Sequence, residues 1–178
     1  NSEVEFGIAE ISANEQFDLL EKNVLMEQKN MTIIEVGAGN GTLSKLVLEK
    51  YGKNIKKYVI VEDTSRILNI QNNYLSSSFD NVEYVEIDDV ENINEDFDLF
   101  MSHNCLEETP YEYQDFIFNK FLTKSKIVYV TQNVSGFHSG SEVDAEISHK
   151  KLLEHLDKHY DDVLVDKIAS SKNIIVVK

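Results

Sequence analysis

The chain of 178 residues contains one cysteine, one proline, seven glycines and no tryptophan. A single thiol, Cys105, excludes an internal disulfide and a cysteine-based zinc cluster. With Pro110 as the only proline and no internal repeat, no stretch has the composition of a linker, and the length suits one domain. Cations are scarce as well: 17 Lys and Arg stand against 32 Asp and Glu, a net charge of −15. Nucleic-acid binding needs positive surface to displace phosphate counterions, and an anionic membrane needs the same sign, so neither is an expected partner. No apolar run approaches the ~20 residues that span a bilayer, and no signal-peptide pattern opens the chain. The expected location is the cytoplasm. The first residue is Asn1 rather than Met, so further sequence upstream is expected.

What is present is the composition of an ordinary globular protein, 42% hydrophobic and 28% charged. Apolar spacing alternates between two periods. Helical spacing covers Asn14–Gln28, Thr42–Tyr51, Ser65–Leu75, Tyr111–Leu122 and Glu142–His159. Short apolar or alternating runs cover Met31–Val36, Lys57–Val61, Val82–Ile87, Phe97–Met101 and Ile127–Thr131. Val163–Ala169 and Asn173–Lys178 flank the turn Ser170–Ser171–Lys172 and read as a closing strand pair. Strands alternating with helices predict an α/β fold, a doubly wound, Rossmann-like seven-stranded sheet, mostly parallel, with an antiparallel closing strand and helices on both faces. Residues 1–29 are expected to form a helical appendage and 30–178 the core. Ligands of such sheets bind beyond the carboxyl ends of the strands, so the residues following each strand carry the chemistry.

After the first strand the chain reads Glu35-Val36-Gly37-Ala38-Gly39-Asn40-Gly41-Thr42. Three glycines at alternate positions permit a tight strand-to-helix turn and close approach of a ligand to the backbone. The spacing is G-x-G-x-G rather than the dinucleotide G-x-G-x-x-G, and no Gly-Lys-Ser/Thr follows, which excludes a P-loop. A carboxylate at the mouth, Glu35, repels a pyrophosphate and suits a cationic ligand. S-adenosylmethionine (SAM) carries an ammonium and a sulfonium and no phosphate, so electrostatics favour it over a nicotinamide dinucleotide. Here the sequence resembles the class I SAM-dependent methyltransferases, whose acid-x-Gly-x-Gly-x-Gly loop Glu35, Gly37, Gly39 and Gly41 match position by position. The resemblance implies that Glu62, ending the second strand with Asp63 beside it, binds the ribose hydroxyls. It likewise implies that Asp88, after the third strand with Asp89 beside it, contacts the adenine amino group.

Past the fourth strand stands Ser102-His103-Asn104-Cys105-Leu106-Glu107-Glu108-Thr109. Neither the Asn/Asp-Pro-Pro-aromatic tetrad of amine and nucleic-acid methyltransferases nor the metal-binding aspartates of catechol-type enzymes is present. The segment is similar to the bacterial sugar O-methyltransferases, in which an Asn-Thr-x-Ser-hydrophobic-x-Glu-Met stretch follows the fourth strand. Leu106 and Glu108 keep the apolar and acidic positions, while Ser102 stands for the Asn, His103 for the Thr, Cys105 for the Ser and Thr109 for the Met. That resemblance implies a sugar or glycan-precursor hydroxyl as the methyl acceptor, in surface polysaccharide biosynthesis, with Ser102 at the cofactor edge.

A hydroxyl is a poor nucleophile at neutral pH, so a general base helps as the new bond forms. His103 has a suitable unperturbed pKa, and Glu108 matches the family acid; both are the catalytic candidates. His138, on a loop flanked by Gly136 and Gly140, is the candidate acceptor contact. His149, His155 and His159 are expected on the surface of the late helix, and Cys105 as a small buried thiol. His103, Glu107 and Glu108 have no recognised ligand spacing, so no metal is expected. The partner is then a small hydroxylated acceptor, with self-association left open. Two other readings remain, methyl transfer to an amine, carboxylate or other metabolite, and a catalytically silent SAM-binding module. The charge has a location: from Ile67 to Asn119 there is no Lys or Arg, and 13 acids occur. Most of these form a solvated face, yet the asymmetry favours a cationic cofactor over an anionic acceptor.

Overall fold

The computed structural model describes residues 2–75, 78–134, 143–169 and 172–177. Along the chain run α1 (Ser2–Asn23), β1 (Met31–Val36), α2 (Thr42–Tyr51), β2 (Ile55–Glu62), α3 (Ser65–Leu75) and β3 (Val82–Glu86). They are followed by β4 (Phe97–His103), α4 (Tyr111–Lys120), β5 (Ser125–Asn133), α5 (Ala145–His159), β6 (Val163–Ala169) and β7 (Lys172–Val177). The strands form one seven-stranded sheet in the order β3-β2-β1-β4-β5-β7-β6. Pairing is parallel for β2 with β3, β1 with β4 and β4 with β5, and antiparallel for β7 against both β5 and β6. This is the expected α/β architecture, and its closing strand β7 is inserted between β5 and β6.

By compactness the chain divides into Asn1–Thr32 with Ala38–Ile93, and Ile33–Gly37 with Asn94–Lys178. In the first unit α1 packs against α2, and Leu20, Val47, Val59, Val61 and Leu75 are fully buried. Tyr51 Oη donates to Glu21 Oε1 at 2.5 Å and Lys50 Nζ pairs with the same oxygen at 2.5 Å, tying the two helices at their rim. α1 starts and ends earlier than the Asn14–Gln28 spacing predicted. Val24 leaves helical geometry at φ −131°, and a short 3₁₀ turn, Leu25–Glu27, carries the chain toward β1.

In the second unit the parallel strands are near-continuous apolar runs, as strands covered on both faces require: Ile33, Ile34, Leu99, Phe100, Val128 and Val130 are all inaccessible to solvent. Leu152 and Leu156 of α5 and Ile175 of β7 complete this core. Asp144 caps α5, its Oδ1 accepting from Glu146 N at 2.8 Å and Ile147 N at 3.3 Å. That cap sets the helix start at Ala145, three residues after the Glu142 expected from spacing.

Candidate functional site

The glycine loop takes the geometry that only glycine adopts freely. Gly37, Gly39 and Gly41 all have positive φ, at 76°, 59° and 80°. Within the first unit, Asn40 Oδ1 accepts from Thr42 N at 3.1 Å and Thr42 Oγ1 at 2.7 Å, fixing the entry to α2. Gly39 is held by two side chains. Its N–H donates to Glu62 Oε1 at 2.8 Å, and its carbonyl accepts from Gln71 Nε2 at 2.8 Å. Gln71 Nε2 also donates to Glu62 Oε1 at 2.7 Å, closing a three-membered circuit. Glu62 is thus buried at the end of β2, with Asp63 exposed beside it. Asp88 and Asp89 are exposed in the first turn of the 3₁₀ segment Ile87–Asn92 that follows β3.

The second unit carries the other candidates. Glu35 is buried within β1, opposite Met101 of β4. Ser102 is buried and its hydroxyl donates to Val36 O at 3.0 Å. Gly37 lies against Cys105: a Cβ at Gly37 would overlap Cys105 Sγ and Cβ. A small side chain at position 105 therefore serves close packing on the loop, and the thiol is half-buried rather than fully so. β4 ends at His103, opposite Thr131 of β5. Asn104 then turns the chain with φ 48°, and its N–H donates to Thr131 O at 2.8 Å. His103 Nδ1 bonds Thr131 Oγ1, and His103 Nε2 faces Asn104 Nδ2 at 3.3 Å. Both ring nitrogens of His103 are thus within hydrogen-bond reach of a neighbouring side chain.

Of the paired glutamates, the structure exposes Glu108 and buries Glu107 completely. Glu107 Oε1 accepts from Asn133 N at 2.8 Å and Asn133 Nδ2 at 3.0 Å, fastening the segment after β4 to the end of β5. Gln114 of α4, also fully buried, has its Nε2 2.9, 2.8 and 2.6 Å from Leu106 O, Thr109 O and Ser148 Oγ, three acceptors sharing two hydrogens. Two of the late histidines depart from the surface positions expected of them. His149 is half-buried with its Nδ1 2.5 Å from Gln132 Nε2, and burial lowers its pKa. His155 is half-buried, its ring 5.3 Å from that of Phe118, whereas His159 is exposed. His138 lies outside the described residues. Among the described residues no group of three or more His, Cys, Asp or Glu is gathered as a metal ion would require.

Gln71, Asn104 and Thr131 were not singled out from sequence, and Glu107 was weighed only as a metal ligand. One signal was there for Gln71: it falls on the apolar stripe Leu68–Gln71–Leu75 of α3, where an amide is out of place unless bonded. Glu107 had no such signal, because adjacent glutamates cannot be told apart without knowing which way the turn faces.

The sequence model of a family described as "Putative S-adenosyl-L-methionine-dependent methyltransferase" matches residues 11–168. The chain belongs to this family. No curated protein matches the methyltransferase. Among solved structures it is similar to a protein described as a putative RNA methyltransferase from Pyrococcus horikoshii, at 16% identity and TM-score 0.65, over 93% of this chain and 80% of that one. A SAM-dependent methyltransferase from Aquifex aeolicus is similar at 14% identity and TM-score 0.67, over 91% and 88%. The methyltransferase solved with the Trm112 activator of Haloferax volcanii is similar at 12% identity and TM-score 0.68, over 97% and 93%. At such identities the likeness concerns the fold.

S-adenosyl-L-methionine is the cofactor of the family. The loop fits a ligand of that kind: a Cβ built at Gly39 meets no atom within 4 Å, so open space lies where a side chain would stand. Glu62 ends β2 and accepts from Gly39 of this loop, and the loop from Glu35 to Thr42 contains no cation that would repel a sulfonium.

Proposed function

We propose that this methyltransferase acts on a hydroxyl of a small acceptor, a sugar or glycan precursor, with His103 as the general base. The observation that carries this reading is the seating of His103 at the end of β4, where Thr131 holds the ring through Nδ1 and Nε2 lies beside Asn104. Bound SAM supplies an already activated methyl group, so positioning accounts for much of the rate. His103 Nε2 takes the acceptor's hydroxyl proton as the carbon–oxygen bond forms. The 3.3 Å contact to Asn104 is long enough for an entering hydroxyl to displace it. Thr131 keeps the ring in this orientation. Glu35, Gly37, Gly39, Gly41, Glu62, Asp63, Asp88 and Ser102 form the proposed cofactor set, Glu108 is a second candidate acid–base group, and His138 an acceptor contact.

The absence of Lys and Arg from Ile67 to Asn119 disfavours RNA as acceptor, although one structural neighbour is described as an RNA methyltransferase. The test is a panel of sugars, nucleotide-sugars, amines, carboxylates and RNA, read by release of S-adenosylhomocysteine (SAH). Turnover of a sugar hydroxyl that falls at least 100-fold in His103→Ala supports the proposal. Turnover confined to amines or RNA, or unchanged by His103→Ala, overturns it. Binding of SAH with no acceptor turned over favours the silent-module reading instead.

A further inference from the structure

Gln71 is a fully buried amide on the apolar face of α3, and the sequence resemblance gives it no role. Its Nε2 has two hydrogens and two acceptors, Gly39 O at 2.8 Å and Glu62 Oε1 at 2.7 Å, so its donor capacity is fully used. Turning the amide over would aim its oxygen at a carbonyl and a carboxylate, which fixes the orientation. The amide oxygen is buried and has no hydrogen-bond partner. A leucine would fill this stripe position without burying an unpaired acceptor, so apolar packing does not explain the residue.

We propose that Gln71 is a positioning residue of the cofactor site, acting through Glu62 and Gly39. Glu62 Oε1 is held by two donors, Gln71 Nε2 and Gly39 N. That fixes the plane of the carboxylate and therefore the direction of Oε2. The second bond from Gln71 pins the Gly39 carbonyl, so one side chain sets the loop and the carboxylate in register. A carboxylate free to rotate would lose its aim at ligand hydroxyls and the preorganisation that aim provides. The inference rests on the cofactor reading of Gly39 and Glu62.

The experiment is titration calorimetry with SAH, with circular dichroism to confirm folding. The wild type is compared with Gln71→Leu, the near-isosteric Gln71→Glu, Glu62→Gln and the double variant Glu62→Gln/Gln71→Leu. Gln71→Leu is expected to bind SAH at least 10-fold more weakly. In the double variant the leucine adds less than threefold to the loss caused by Glu62→Gln, because its effect passes largely through that carboxylate. Gln71→Glu sets a second carboxylate against Glu62, and the pair shares a proton as pH falls. Its affinity is expected to be at least 10-fold below wild type at pH 8 and to recover toward it at pH 5.5. Of the other charged groups on these elements, Glu86 is the half-buried β3 register partner of Glu62, Asp63 and Arg66 are exposed, Glu83 pairs with Lys57 at 2.7 Å, and Lys45 lies over the Tyr74 ring at 4.4 Å. A residue that only stabilised the fold would not produce this pH recovery. Should Gln71→Leu not fold, the near-isosteric glutamate carries the test by its pH profile. SAH affinity within threefold of wild type in both Gln71 variants at both pH values overturns the proposal, as does a fully additive loss in the double variant. Failure of the wild type to bind SAH overturns the cofactor reading, and this proposal with it.

Discussion

At the scale of single residues, two glycines of one loop are required for different reasons. At Gly37 a side chain would strike Cys105, whereas at Gly39 it would enter empty space. Both positions have positive φ, which costs a non-glycine residue about 1–2 kcal/mol. Gly39→Ala is therefore expected to stay folded with only that loss, while its new methyl group weakens SAH binding at least 10-fold. Gly37→Ala adds overlap with Cys105 and is expected to lose roughly 3 kcal/mol or more. Denaturant melts alongside SAH titration separate the two; equal destabilisation with equal loss of binding would contradict the distinction. The paired glutamates offer a second contrast. Glu107→Ala removes the acceptor of two Asn133 donors in a buried setting and is expected to cost about 2–4 kcal/mol. Glu108→Ala, at an exposed position, should change stability by no more than ~0.5 kcal/mol.

At the scale of elements, polar side chains on otherwise apolar faces tie each unit together. Gln114 of α4 reaches the turn after β4 and Ser148 of α5, and His149 of α5 meets Gln132 near the end of β5. Burial depresses the His149 pKa below its ordinary 6.5, so the neutral ring is the native form. The unfolded chain then binds a proton more readily than the folded one, and the ring's contribution to stability is lost as pH falls through about 6.5. His155 is shifted in the same direction, burial again being the largest cause, followed by the neighbouring His159. Thermal melts at pH 7.5 and 5.5 should show a smaller acid-induced loss in His149→Gln than in wild type. An equal loss in both would remove His149 from the account. The same polar positions explain what could be read of these elements in advance. Leu68, Gln71 and Leu75 repeat at helical spacing, so α3 and its buried face were legible. The partners of Gln71 were not, because Glu62 precedes it by nine residues and Gly39 by thirty-two.

At the scale of the whole molecule, the strand order places β7 between β5 and β6 and antiparallel to both. No helix among the described residues is long and apolar enough to cross a membrane. The net charge of −15 bears on stability as well as on partners. Like charges in a compact state repel, and salt with a Debye length of about 8–10 Å at physiological strength screens that repulsion. The melting temperature is expected to rise by a few degrees between 10 and 300 mM NaCl, with no measurable binding to heparin or duplex RNA at 150 mM. A melting temperature that falls with salt would mean that attractive ion pairs outweigh the repulsion. The ion pairs argue otherwise. Lys126–Asp98, Lys57–Glu83 and Lys151–Asp115 are each at least partly exposed, and such pairs are weak.

By itself the sequence determined the alternation of strand and helix, the glycine loop and the sign of the charge. These are carried by local spacing and composition, which short stretches of chain express without reference to distant partners. It also pointed to the SAM-dependent methyltransferases, through a loop whose residues are contiguous, but not to the acceptor. The tertiary structure decided which of two adjacent glutamates is buried, which glycine abuts a side chain, and which side chains flank the His103 ring. It also joined Gln71, Glu62 and Gly39 in one hydrogen-bonded circuit. Each of these depends on the direction of a side chain relative to residues far along the chain, and such directions exist only once the strands are in register.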